Sequence, residues 1–363
     1  MKDISESMQL FLTTEQELLT QIKHGLGSSQ NRVSLVNSTV LAIQLEPKDL
    51  QNLVWSICDF IPQGRWGSVR CCTEPSNQQP THGQLMRSES LDLVRKKVDA
   101  VWLEEIIREG RLITYFQPIV SNQTPYKVFA YECLIRGVSK DQQLIAPRQL
   151  FSAARGSGKM GQLDHAARLK CIETAKTLNI GVNIFIKLNP NFISDSLHDL
   201  AETMEAVVES RVDPNRFVFE VVESEEISDV GKLHQILNYC RKTGCRVALD
   251  DVGAGYNSLN NLPEVLPDFI KLGMELARDV HKDYYKSRIA GKLLELAREL
   301  KLGAIMEGIE TLETWNWVRE HGADYSQGFL FAKPAAIPPR PKISPKICPK
   351  IPSNRSTLSS SQP

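Results

Sequence analysis

Arg246-Val247-Ala248-Leu249-Asp250-Asp251-Val252-Gly253-Ala254-Gly255-Tyr256 is a short β-rich run that stops on two adjacent carboxylates and a glycine-rich turn. Two neighbouring acids are costly inside a core unless a cation balances them. The same pattern recurs on either side of this stretch. Short apolar runs lead to Glu132, to Lys187, to Glu220 with Glu223, to Lys271, to Glu307 and to Gln327. Polar groups at the carboxyl ends of successive parallel strands are how a β/α barrel builds an active site.

Strands are expected over 112–118, 127–135, 182–188, 217–222, 246–250, 268–272, 303–306 and 325–331. Helical spacing lies between them: Ile289, Leu293, Leu296 and Leu300 share one face, as do Val230, Leu233, Leu237 and Cys240. Such alternation predicts an α/β chain whose eight strands close into a (β/α)8 TIM-type barrel. The connection 119–126 is too short for a helical crossover, so one strand is expected to be antiparallel.

The two ends read differently. Residues 1–100 predict a small α+β region of unknown role. It has an amphipathic stretch over 8–22, a strand over 36–45, a helix over 49–60 and a strand over 66–72. A linker rich in Gln, Pro, Ser and Thr follows over 73–88, and a helix over 91–109 then leads into the barrel domain, 101–335. Beyond Pro334 come Pro338, Pro339, Pro341, Pro345, Pro349 and Pro352 with a repeated Pro-Lys-Ile step. Such a segment buries too little apolar surface to fold, so a disordered tail is expected over 336–363, open to a partner.

Composition bounds the function class. The chain has 363 residues with 43 basic and 43 acidic side chains, so no global charge calls for a nucleic-acid polymer or an anionic membrane. The eight cysteines form no CxxC pair and read as buried thiols of a reducing cytoplasm. No run approaches the length of a transmembrane helix, and the amino terminus does not read as a signal peptide.

Tyr115-Phe116-Gln117-Pro118-Ile119-Val120, then Tyr131-Glu132-Cys133-Leu134-Ile135-Arg136, resembles the opening of an EAL domain. The likeness continues through Phe219-Glu220-Val221-Val222-Glu223-Ser224, the Asp250-Asp251 loop, Glu307-Gly308-Ile309-Glu310-Thr311 and Gln327-Gly328-Phe329-Leu330-Phe331, in family order over about 105–335. The resemblance implies a barrel with one reversed strand that hydrolyses cyclic di-GMP to linear pGpG with two divalent ions, Mg²⁺ or Mn²⁺. It implies Glu132, Glu220, Asp250, Asp251 and Glu307 as the carboxylates that hold or orient the metal. Lys271, Glu307 and Gln327 are implied as the groups around the attacking water and scissile phosphate. Gln117, Leu134 and Arg136 fall on the ligand side, while Glu223 and Glu310 look like anchors of the mobile loop. Independently of the family, a histidine-free, oxygen-rich site suits hard cations, and two metal ions meet the needs of phosphodiester hydrolysis.

Two positions depart from the family pattern. Lys187 stands where the resemblance places an asparagine whose carbonyl oxygen ligates metal, and lysine has no acceptor. Its ammonium either neutralises Glu220 and Asp250 as a surrogate cation or swings out on its stem, and Asn189 is a further source of an oxygen. Gly273 stands where the family has an aspartate, which removes a carboxylate. Two functions follow: a metal-dependent cyclic di-GMP phosphodiesterase, which the retained acids favour, or a silent domain that binds the dinucleotide or a protein. No segment resembles the synthase signature of this signalling system. A homodimer through the barrel and a partner for the tail stay open.

Overall fold

The computed structural model describes residues 8–26, 32–46, 49–75, 80–124, 127–194, 196–222, 229–253 and 259–343. The chain divides into two compact units, one of residues 1–110 with 148–160, the other of 111–147 with 161–363.

In the first unit the order is β1 (Met8–Thr13), α1 (Gln16–Leu26), β2 (Arg32–Asn37), β3 (Val40–Leu45), α2 (Leu50–Phe60), β4 (Arg70–Pro75), α3 (His82–Met86), β5 (Glu89–Ser90) and α4 (Leu91–Arg108). The sheet order is β2-β3-β1-β4-β5, and every pairing is antiparallel. This is the split β-α-β arrangement of ferredoxin-like domains. The expected amphipathic stretch over 8–22 is in fact a central strand followed by a helix. Leu10 and Leu12 pack among the helices, while Phe11 meets Val40 and Ala42 on the other face. A strand buried on both faces hides the alternation that would have revealed it. The expected strand over 36–45 is a hairpin, turned where Asn37 Oδ1 accepts from the Thr39 amide at 2.9 Å. The expected linker is largely ordered: β4 runs to Pro75, and Thr81 with Gln84 forms a capping box at the start of α3. Asp99 of α4, buried, accepts from Trp55 Nε1 of α2 at 2.8 Å and pairs with Arg95 at 2.8 Å.

The second unit opens with β6 (Leu112–Ser121), β7 (Val128–Val138) and β8 (Leu144–Ile145). After α5 (Pro147–Ser157), most of which belongs to the first unit, come α6 (Met160–Thr177), β9 (Asn183–Leu188), α7 (His198–Glu209), β10 (Phe217–Val222), α8 (Val230–Lys242), β11 (Arg246–Val252) and α9 (Leu262–Val265). The chain continues through β12 (Phe269–Leu272), α10 (Met274–Ala277), α11 (Tyr284–Glu299), β13 (Gly303–Met306), α12 (Leu312–Glu320) and β14 (Tyr325–Gln327). The strand order is β6-β14-β13-β12-β11-β10-β9-β7-β8, and a further pairing of β6 with β7 closes eight strands into a barrel. β6 runs antiparallel to both β7 and β14, while the other barrel pairings are parallel. The expected barrel with one reversed strand is therefore present.

Inside the barrel, Ile119, Ala130, Phe185, Val218, Ala248, Phe269 and Ile305 form one buried apolar layer with Phe129 and Tyr325 against it. The last strand stops at Gln327, short of the expected 331. A β-carbon on Gly328 would lie 2.0 Å from the Ile309 carbonyl oxygen, so the chain turns there in close contact with the loop after β13. The proline-rich segment is extended, but its first part is held against the barrel. Ala335 and Phe116 exchange backbone hydrogen bonds at 2.8 and 3.1 Å, Tyr131 donates to the Pro339 carbonyl at 3.1 Å, and Ile343 is buried in the core. The tail expected from residue 336 is thus ordered through 343, and the rest of it lies outside the described residues.

Candidate active site at the barrel mouth

The site is the apolar layer shifted two residues along each strand. A strand presents alternate residues to one face. Ala130 is therefore followed on the inner face by Glu132, Phe185 by Lys187, Val218 by Glu220, Ala248 by Asp250, Phe269 by Lys271, Ile305 by Glu307 and Tyr325 by Gln327. On the reversed strand the matching residue comes earlier, Gln117 before Ile119. The apolar floor and the polar mouth share one periodicity.

Lys271 is the hub. It is fully buried, and its Nζ lies 2.5 Å from Glu307, 2.6 Å from Glu220, 3.1 Å from Asp250 and 3.5 Å from Glu132. Gln327 donates from Nε2 to Glu132 Oε2 at 2.6 Å. Lys187 turns inward: its Nζ is 2.6 Å from Asp250 Oδ2 and 3.5 Å from Glu132 Oε1, while 42% of its side chain stays exposed. Asn189 Oδ1 accepts from the Asn191 amide at 3.0 Å and caps a short turn. Of the three fates open to this position, the ammonium among the carboxylates is the one observed.

Asp250 and Asp251 reach the same mouth because β11 is irregular there. The register with β12 slips between Leu249 and Val252, and Asp251 has φ +58. In a regular strand the second acid would point away. One carboxylate oxygen from each of Asp250, Asp251 and Glu307 lies within 4.8 Å of the other two.

Burial shapes the electrostatics. It pushes the Glu220 carboxyl up to about 8 and Glu307 up to about 7, despite Lys271 beside each. Burial likewise raises Asp251, helped by the charge of Asp250. Glu132 and Asp250 go the other way: burial opposes ionisation, but Lys271 and Lys187 together hold both below the usual range. Both lysines are held well above theirs, since the surrounding carboxylates outweigh burial.

Gln117, Leu134 and Arg136 share the inward face of the β6–β7 hairpin beyond the carboxylates, all half-buried. Tyr115 on the same face lies under the Arg136 guanidinium at 5.2 Å, a pairing the sequence did not single out. Glu310 is exposed after β13, Gly273 caps α10, and Glu223 with the loop 254–258 lies outside the described residues. A second omission is Asn122, whose buried Oδ1 accepts from Trp315 Nε1 at 2.9 Å and Ser326 Oγ at 2.7 Å. It fixes β14 one residue from Gln327, and no local pattern marks it.

The donor set fits a hard divalent ion in part. Asp251 and Glu307, with Asp250, present clustered carboxylate oxygens, and Glu220 Oε2 is buried without a hydrogen-bond partner among the described residues. Ammonium groups already meet the other acids, Lys187 between Glu132 and Asp250 and Lys271 beside Glu220.

Comparisons with known proteins agree with this fold. The EAL domain model matches residues 100–334. A cyclic di-GMP phosphodiesterase of Escherichia coli, PdeR, is 27% identical over 254 residues, covering 67% of this chain and 37% of that protein. A probable cyclic di-GMP phosphodiesterase of the same organism, PdeG, is 27% identical over 242 residues, covering 64% and 46%. This chain thus spans less than half the length of these curated relatives. Among solved structures, a standalone EAL protein of Vibrio cholerae with bound cyclic di-GMP matches with TM-score 0.58 and 28% identity, covering 66% of this chain and 98% of that one. A Klebsiella pneumoniae protein solved with manganese and cyclic di-GMP shares the fold over 91% of this chain and 96% of its own, with TM-score 0.56 and 20% identity. No helix among the described residues is long and apolar enough to cross a membrane. With its family signature matched from the α4 helix to the end of the barrel, this chain belongs to the EAL domain family.

Proposed function

We propose that the barrel mouth binds cyclic di-GMP and that Lys187 holds its hydrolysis far below what the remaining site would support. The single observation behind this reading is the Lys187 ammonium 2.6 Å from Asp250 Oδ2. Gln117, Leu134, Arg136 and Tyr115 line the approach to the phosphodiester and offer amide, apolar, cationic and aromatic contacts for guanine and phosphate. Lys271, Glu307 and Gln327 would face the reacting phosphorus and its attacking water. Asp250, Asp251 and Glu307 would hold a divalent ion, Mg²⁺ or Mn²⁺. Such an ion supplies charge neutralisation and an activated water when bound. Lys187 offers the phosphates a fixed positive charge, so ligand binding is expected to persist in a chelator.

The competing reading is full two-metal hydrolysis, which the complete set of acids with Lys271 and Gln327 favours. Calorimetry with cyclic di-GMP in EDTA, together with pGpG formation in Mn²⁺, separates the two. The expected outcome is binding by wild type with or without metal, little turnover, and at least a hundredfold gain in turnover for Lys187→Asn. Tenfold in rate corresponds to about 1.4 kcal/mol, so a recovered metal contact of a few kcal/mol produces that gain. Rapid wild-type hydrolysis would establish the competing reading, and no binding in either condition would remove both.

A further inference from the structure

The carboxylates of the mouth are not equally available to a cation. Both oxygens of Asp250 already meet ammonium groups, Oδ2 with Lys187 at 2.6 Å and Oδ1 with Lys271 at 3.1 Å. Glu132 is similarly engaged: Oε1 faces Lys187 at 3.5 Å, and Oε2 accepts from Gln327 at 2.6 Å. Lys187 therefore lies between Glu132 and Asp250, while the Lys271 ammonium meets Glu220 at 2.6 Å. An ammonium donates three hydrogens and accepts none, so it repels a metal ion and cannot ligate one. On the other side, one oxygen from each of Asp250, Asp251 and Glu307 lies within 4.8 Å of the others. Lys271 meets Glu307 Oε1 at 2.5 Å, and no lysine or arginine lies within ion-pair distance of Asp251 among the described residues. The irregular β11, with Asp251 at φ +58, is what turns that second acid towards Glu307.

We infer that this site takes one divalent ion, held by Asp251 and Glu307 with Asp250, and that the Lys187 ammonium stands in the place of a second between Glu132 and Asp250. The inference rests on reading the mouth as a cation site, but it concerns the number of ions and not ligand affinity. It assigns Lys187 as a built-in monovalent cation that keeps the acids neutralised without metal chemistry. A lysine at this position would thus turn a paired-ion centre into a mononuclear one.

Manganese counting on the full chain tests it without any turnover. Equilibrium dialysis should give one Mn²⁺ per wild-type chain, and its electron paramagnetic resonance spectrum should be that of an isolated ion. Lys187→Asn should bind a second Mn²⁺ and develop the broadened signal of an exchange-coupled pair. Lys187→Met, which removes the charge without adding an acceptor, should also exceed one ion, with the second bound more weakly. Asp251→Asn should lose the single ion of the wild type. Two coupled ions in wild type, or no gain in either Lys187 variant, would overturn the inference, as would full Mn²⁺ occupancy in Asp251→Asn. Absence of Mn²⁺ from every variant would also overturn it, while cyclic di-GMP calorimetry would still decide the binding reading separately.

Discussion

A single buried ammonium, Lys271, faces four carboxylates, none more than 3.5 Å away. Removing one partner from a buried ionic cluster leaves uncompensated charge and costs about 3–5 kcal/mol. Lys271→Met is therefore expected to lower the unfolding free energy by about that amount in denaturant titration, and Mn²⁺ should restore part of it. Lys187 obeys the same arithmetic in reverse. A dication 4 Å from an ammonium is disfavoured by about 8 kcal/mol at an effective dielectric of about 20, which is why the two compete for one place. The loss of an acceptor at Lys187 was legible in the sequence from the family resemblance, which places an asparagine there, together with the chemistry of lysine, which has no acceptor. Its direction was not, because a four-carbon stem reaches inward or outward equally well and only the packed positions of Asp250 and Glu132 decide.

At the level of elements, the barrel strands were legible because floor and mouth share the two-residue period of a strand. Phe185 and Lys187, or Phe269 and Lys271, announce a strand whose inner face turns polar at its end. The irregularity of β11 was not legible, since nothing in Leu249 to Val252 says that the register slips. Likewise β1 read only as part of an amphipathic stretch over 8–22 and not as a strand, because its two faces are both buried and carry no contrast. The end of β14 depends on a close approach that only a glycine permits. Gly328→Ala would place its methyl 2.0 Å from the Ile309 carbonyl oxygen and forces the two segments apart. Overpacking of this kind costs about 3 kcal/mol. Gly181→Ala, with nothing within 4 Å of its new methyl, should change the denaturation midpoint hardly at all.

Across the whole molecule, the raised carboxyls link folding to pH. A carboxyl with a higher pKa in the folded state favours the fold at low pH and loses that contribution as pH rises through the folded value. Burial raises Glu220 to about 8 and Glu307 to about 7, so metal-free protein should melt progressively lower between about pH 5 and 8. Glu220→Gln should flatten that slope in calorimetric scans. Because a cation binds the ionised acids, the rise in melting temperature caused by Mn²⁺ should grow over the same interval. The account as a whole stands on where one ammonium sits relative to bound metal. Anomalous diffraction at the manganese edge, from crystals grown with Mn²⁺ and cyclic di-GMP, reads this directly. The account predicts one manganese peak beside Asp251 and Glu307, with Lys187 lodged against Asp250; two peaks flanking Asp250, with Lys187 displaced towards solvent, would contradict it.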